Sequence, residues 1–199
     1  SEQWRLDAVH QSLEQDDAWR THSTPFAKSF RGTKVGSDKA RILDQTRHLT
    51  YARLSGADLT GALTVASVTL SLHQQYEREF RVRQDDTEQY TGTDVDTFGA
   101  QAQGGSELGV TMLTFGVDYN HDTVDSFSRR QKEVGGPFKN AIQGPVADDS
   151  SYDSLGLFVQ DEFKVAADTR AIAGVRYTHS SVDAGRFEDP ATGAAASYT

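Results

Sequence analysis

Residues 155–179 read LGLFVQDEFKVAADTRAIAGVRYTH: two alternating runs and a four-residue turn. Leu155, Leu157, Val159, Phe163 and Val165 share one parity of the first run; Gly156, Phe158, Gln160, Glu162 and Lys164 share the other. The turn is Ala166, Ala167, Asp168 and Thr169. The return run sets Ala171, Ala173, Val175 and Tyr177 against Ile172, Gly174, Arg176 and Thr178. Period-two alternation marks strands with one apolar and one polar face. Strands of soluble folds usually run about five or six residues. A tilted strand needs about 9–11 to cross hydrocarbon. The length of this hairpin therefore points to a membrane barrel.

The same hairpin carries a family resemblance. Gln160, Asp161 and Glu162 before the turn, and Gly174, Val175, Arg176 and Tyr177 after it, resemble a descending and an ascending strand of the TonB-dependent outer-membrane receptors. Residues 114–119, TFGVDY, resemble another strand of those barrels, and residues 94–99 a further one. Val146, Ala147, Asp148 and Asp149 resemble the approach from loop to descending strand. The resemblance covers the rhythm of strands and loops along nearly the whole chain, and it is motif-level between Gln160 and Tyr177. It implies an all-β fold: about seven consecutive strands of an antiparallel, up-and-down transmembrane barrel that has about 22 in all.

The rest of the chain suits that architecture. Trp4, Leu6, Ala8 and His10 alternate with Arg5, Asp7, Val9 and Gln11. Residues 47–56 read as extended, with Leu49 and Tyr51 on one side. Residues 63–83 form the longest candidate. Leu63 and Val65 share one parity and Val68, Leu70 and Leu72 the other, so a β-bulge is expected near Ala66 and Ser67. Phe98, Ala100 and Ala102 share a face, followed by a turn at Gly104, Gly105, Ser106 and Glu107. Leu113, Phe115, Val117 and Tyr119 alternate with Thr114, Gly116, Asp118 and Asn120. Long connections are expected near 16–44, 84–92, 126–151 and 183–199, and short ones near 57–61, 104–108 and 166–169. Outer-membrane barrels keep this asymmetry, with short periplasmic turns and long outer loops.

Composition narrows the function classes. No run of about 18 apolar residues exists, so no helix spans a membrane. A mean hydropathy of −0.59 is compatible with a barrel whose strands are half polar. The chain has no Cys, which removes disulfides and thiolate chemistry. Its net charge is −9 and its Lys and Arg form no run, which argues against nucleic acid. No GxSxG elbow and no GxGxxG after a strand is present, so an enzyme is not expected, and no cofactor motif appears.

On the membrane reading, Leu113, Phe115, Val117, Tyr119, Leu155, Leu157, Val159, Phe163, Val175 and Tyr177 face lipid. Asp118, Gln160, Glu162, Lys164 and Arg176 then line a polar lumen, with Gly116, Gly156 and Gly174 leaving space inside. Tyr119, Phe163 and Tyr177 are placed near strand ends, as an interfacial girdle. Trp19, His22 and His121 are candidate loop contacts for a ligand. His10, His48, His73 and His179 are scattered. The acidic groups Asp16 and Asp17, Asp85 and Asp86, Asp148 and Asp149, and Asp118, Asp122 and Asp125 are expected at strand tops or ends, without EF-hand spacing.

The family resemblance implies active import of an iron complex, a ferric siderophore or haem, across the bacterial outer membrane. The energy comes from the TonB complex, which grips a box upstream of a plug domain. Neither plug nor box is seen in residues 1–199, which read as a partial barrel domain, an internal fragment whose partners are outer-membrane lipid, the TonB complex through the missing N-terminal region, and the small ligand. Two other classes stay open: a passive porin or structural barrel, and a soluble β ligand-binding module whose apolar face looks into a core.

Overall fold

A computed structural model describes residues 3–59, 62–132, 135–141, 147–166, 168–189, 192 and 194–198. Thr60, Gly61, Gly144, Pro145, Val146 and Ala167, which the sequence places in turns and loops, lie outside the described residues. Every described element is a strand. They are β1 (Gln3–Trp19), β2 (Ala40–Ala57), β3 (Val65–Val82), β4 (Glu88–Leu108), β5 (Thr111–Gln131), β6 (Lys139–Ala141), β7 (Asp148–Ala166), β8 (Thr169–Glu188) and β9 (Ala195–Tyr198).

All nine strands belong to one sheet in the order β1-β2-β3-β4-β5-β7-β8-β9, with β6 pairing β5. Each neighbouring pair is antiparallel. The seven expected long strands are present, in an up-and-down meander that stays open in this chain. Among the described residues only two apolar side chains, Ala27 and Leu43, are buried. Among the described residues the apolar face is packed against no second sheet, as it would be in a soluble sandwich. Phe115 and Leu155 are about two-fifths exposed and Val175 two-thirds exposed on the same open face. They do not point at one another in a sealed core.

Strands reach well past the expected limits. Residues 16–19 belong to β1, 40–46 to β2, 126–131 to β5 and 183–188 to β8. The connection expected at 84–92 is only the turn 83–87, closed by the Arg83 N–H donating to the Thr87 carbonyl at 2.9 Å. The reason is physical. Where both faces meet water, side-chain alternation carries no apolar signal, while the backbone ladder continues unchanged.

The expected bulge in β3 is absent. Val65 to Val82 pair one for one with Ala57 to Ala40, and with Gly105 to Glu88 on the other side. The parity change arises because Leu63 precedes the strand and packs over Gly104, while Val65 lies over Gly105 beside Met112. Bulges lie instead in β1, between Gln15 and Ala18, and in β7, between Lys164 and Ala166. In β1 Asp17 adopts φ 51° and donates its N–H to Asp44 at 2.7 Å.

The turn expected at 104–107 is also displaced. Gly104 and Gly105 sit inside β4, and the chain reverses at Gly109 and Val110 between the paired residues Leu108 and Thr111. Gly109 has φ +71°. A positive φ at the first of two central residues is the type II′ signature, and its backbone twist suits a two-residue hairpin. Gly109→Val is therefore expected to destabilise the hairpin by about 1–2 kcal/mol, measured as a lower urea midpoint of the folded barrel. An unchanged midpoint would remove this reading of the turn.

Candidate functional site: a two-faced wall and its outer rim

Residues directly opposite in an antiparallel pair point to the same side of the sheet. Following the pairing across the sheet, Leu6, Leu54, Val68, Ala102, Val117, Leu157 and Tyr177 form one continuous row through β1, β2, β3, β4, β5, β7 and β8. Ala8, Ala52, Leu70, Ala100, Tyr119, Leu155 and His179 form the next. Trp4, Gly56, Ala66, Gly104, Phe115, Val159 and Val175 form the row below. All ten residues assigned to an apolar face from sequence lie on this side.

The upper border of the apolar band drops from β3 to β8. Leu72 pairs with Phe98, Phe98 with His121, His121 with Asp153, and Asp153 with Ser181. On this face of β8, however, the apolar run ends at Tyr177, four positions below Ser181, and His179, Ser181 and Asp183 follow. Four strand-to-strand steps thus lower the border by four residues, about 3.4 Å along the strand for each step of about 4.8 Å. That slope corresponds to about 35°, within the roughly 35–45° by which membrane-barrel strands tilt. From β1 to β3 the border runs the other way, rising one pair from Ala8 and Ala52 to Leu72.

Immediately above the band stand histidines. His10, His121 and His179 each follow the last apolar residue of their stretch, namely Ala8, Tyr119 and Tyr177. His48 is one pair higher, opposite Ser12, and its ring stacks on His10 with centroids 6.1 Å apart. His121 is therefore a strand residue hydrogen-bonded to Asp153 at 2.9 Å, not a loop residue. Tyr119 and Tyr177 are likewise mid-strand, because their strands continue far above them; only Phe163 is near an end.

The opposite face is polar. It carries Asp118, Gln160, Glu162, Lys164 and Arg176, as read from sequence, and also Gln101, Gln103, Arg53, Thr69 and Ser71. Leu49 and Tyr51 lie on this side as well, opposite Gln11 and Val9. Arg176 makes a bidentate contact with Asp118, both nitrogens at 2.7 Å from the carboxylate oxygens. The two residues are on β8 and β5, so the guanidinium passes over β7. Gly156 permits the passage, since a Cβ there would lie on the guanidinium and against the Asp118 carboxylate. Phe158 likewise lies over Gly116. Glu162 pairs with Arg170 at 2.5 Å. The spaces left by small residues are filled by neighbouring side chains of the same wall.

The long connections gather at one end of the wall. The loop 20–39 is an ordered structure. Asp38 is buried and bound by Arg81 of β3 at 2.5 Å; the Asp38 N–H donates to the Ser23 carbonyl at 3.0 Å and the Ser23 N–H to Lys34 at 2.9 Å. Lys39 donates its N–H to Val82 and pairs with Asp86 at 2.5 Å. The loop's outer hairpin closes between Phe30 and Thr33, with Arg31 at φ 43° and Gly32 at φ 90°, the two positive values of a type I′ turn. His22 accepts the Lys34 N–H inside this loop at 3.4 Å, whereas Trp19 is the last residue of β1, two-thirds exposed. In the neighbouring turn, hydrogen bonding from Thr87 holds the Asp85 carboxyl below its ordinary range. Asp16 and Asp17 lie in the β1 bulge, Asp148 and Asp149 open β7, and Asp118, Asp122 and Asp125 are interior to β5.

A two-faced, up-and-down wall of long antiparallel strands is matched in sequence by a known family. The model of the TonB dependent receptor-like β-barrel matches residues 2–199. The chain belongs to the TonB-dependent receptors. Its sheet is a stretch of the transmembrane barrel of that family. In structure the receptor wall is similar to the copper transporter OprC, with a TM-score of 0.64 and 15% identity over 79% of this chain. It spans 27% of the length of that transporter. At such low identity the likeness concerns the fold. No curated protein matches the receptor chain in sequence.

Sequence reasoning missed the charge of the loop 20–39 and the outward row of histidines. The basic residues of the loop are spaced three to eight apart, so they form no run. The histidines are brought to one border only by the register.

Proposed function

We propose that the apolar band faces the hydrocarbon of a bacterial outer membrane, that the polar face lines the lumen of a closed barrel, and that the whole protein imports a small metal complex with TonB-supplied energy. Leu113, Phe115, Val117, Tyr119, Leu155, Leu157, Val159, Phe163, Val175 and Tyr177 contact lipid. Asp118, Gln160, Glu162, Lys164 and Arg176 stand in water. The observation that carries the reading is the apolar face that runs through seven consecutive strands, from Leu6 through Val117 to Tyr177, uncovered among the described residues and backed by a polar face. Family membership supports the energy source. The plug and the TonB box belong to this proposal, as does the outer-membrane address. The protein acts as a gated conduit and not as an enzyme. An iron chelate is the first candidate substrate; the likeness to a copper transporter makes a copper complex the second.

The test is uptake by cells producing the full-length protein. Radiolabelled iron or copper supplied as chelates is expected to accumulate only in cells with an intact TonB complex, and a protonophore should stop it. Uptake that continues without TonB would replace this reading by a passive pore. Recovery of the protein in the soluble fraction would end both.

A further inference from the structure

We propose that His10 of β1 and His48 of β2 form a binding site for one late transition-metal ion on the outward face of the wall, at the upper border of the apolar band. His10 is opposite Thr50 and His48 opposite Ser12, so the two histidines are diagonal neighbours in one antiparallel pair and point to the same side of the sheet. Their ring centroids are 6.1 Å apart and the ring planes differ by 14°. An ion about 2.0–2.1 Å from one nitrogen of each imidazole holds two such rings roughly 5–6 Å apart. Side-chain rotation therefore closes the site while the backbone stays in place. His10 is exposed and His48 half-buried, so an ion reaches both.

One nitrogen of His10 is already held. Its Nδ1 lies 2.8 Å from the Thr50 Oγ1. With Nδ1–H donating to that hydroxyl, Nε2 carries no proton and its lone pair is free for a metal; partners of this kind fix the tautomer of metal-binding histidines. Among the described residues the His48 ring has its stacking contact and no hydrogen-bond partner. The other histidines differ: His121 is bound to Asp153, His73 accepts from Arg47, His22 accepts from the Lys34 N–H, and His179 stands opposite Leu155. Neutral imidazole suits Zn²⁺, Ni²⁺ and Cu²⁺, with Cu²⁺ bound most tightly, whereas Ca²⁺ and Mg²⁺ require oxygen. Among the described residues no third histidine or carboxylate joins the pair, which leaves the remaining positions to solvent. The polar face with Asp118 and Arg176 is on the other side of the sheet, so this ion is not on the path through the barrel. It acts as a clip between β1 and β2, below the connection 20–39. Only the paired strands bring the two rings together, so the ion binds the folded wall in preference to the unfolded chain and stabilises it.

The full-length protein, purified in detergent and stripped of metal, is titrated with CuCl₂ beside His10→Gln, His48→Gln and the control His179→Gln. Electron paramagnetic resonance of the native protein and the control is expected to show a Cu²⁺ ion with two equatorial imidazole nitrogens, a signal that each of the other two variants loses. Any copper held elsewhere contributes equally to all four proteins and subtracts out. At an ion concentration 100 times the Kd, the folded-to-unfolded ratio in urea should rise about 100-fold more in the native protein than in His48→Gln. Thr50→Val, which removes the hydroxyl that holds His10, should weaken this site about tenfold. Without any substitution, Cu²⁺ should protect His10 and His48, and not His179, from diethyl pyrocarbonate, read by peptide mass spectrometry. Equal copper spectra in native and His48→Gln proteins overturn the inference. So does equal modification of His10 and His48 with and without copper, or a stabilisation by Mg²⁺ as large as that by Cu²⁺.

Discussion

Leu157→Arg is expected to prevent stable assembly of the barrel. Leu157 lies between Val117 and Tyr177 in the central apolar row and is half exposed on that face. Arginine on the lipid face near the bilayer midplane costs about 2–4 kcal/mol. This lowers the folded-to-unfolded ratio by about 30-fold or more. The matched control is Gln160→Arg, three residues further along β7 and on the polar face. There the guanidinium stays in water, and a surface change of this kind costs within about 0.5 kcal/mol. Urea titration of protein folded into lipid vesicles, with the folded fraction followed by gel mobility without heating, compares the two. Equal costs at the two positions would mean that neither face is lipid.

The second large effect is expected at Gly156. Any side chain there must displace the Arg176 guanidinium from its path over β7 to Asp118. Arg176 is about half exposed and Asp118 about one-fifth, so solvent screens the pair and its own worth is about 1 kcal/mol. Overpacking between three strands adds about 1–3 kcal/mol. Gly156→Leu should therefore cost about 2–4 kcal/mol, and Gly156→Ala less. The discriminating measurement is a double-mutant cycle. In an Arg176→Met background the cost of Gly156→Ala should shrink by about 1 kcal/mol, because no guanidinium remains to be displaced. Strict additivity would show that the glycine is needed for some other reason. The same contact gives Arg176 of the Gly-Val-Arg-Tyr stretch a physical role: it ties β8 to β5 across the strand between them.

Much of this architecture was legible in the chain. Alternation around Val117, Leu157 and Val175 identified strands, their faces and their order, because a strand with one greasy side must repeat every second residue. The asymmetry of connections separated the two ends of the wall. Strand limits were not legible where both faces are polar, as at residues 40–46 and 126–131. The bulge expected in β3 failed because Val65 covers a glycine of the neighbouring strand, a contact invisible without the pairing. The turn expected at Gly104 failed for a related reason: inside a strand a glycine also leaves room for neighbouring side chains, here Leu63 and Phe115, to lie over the backbone. The assignment of His121 to a loop failed with the strand limit above it.

The sequence alone therefore determined the local facts: which stretches extend, which parity is apolar, and how the charge sums over the chain. These depend on neighbours one or two residues away. Only the tertiary structure decided what the register brings together: the sliding height of the apolar band, the border of histidines with its stacked pair, and the Arg176 bridge over Gly156. Each depends on residues far apart in the chain, whose approach is set by backbone pairing and not by any local pattern.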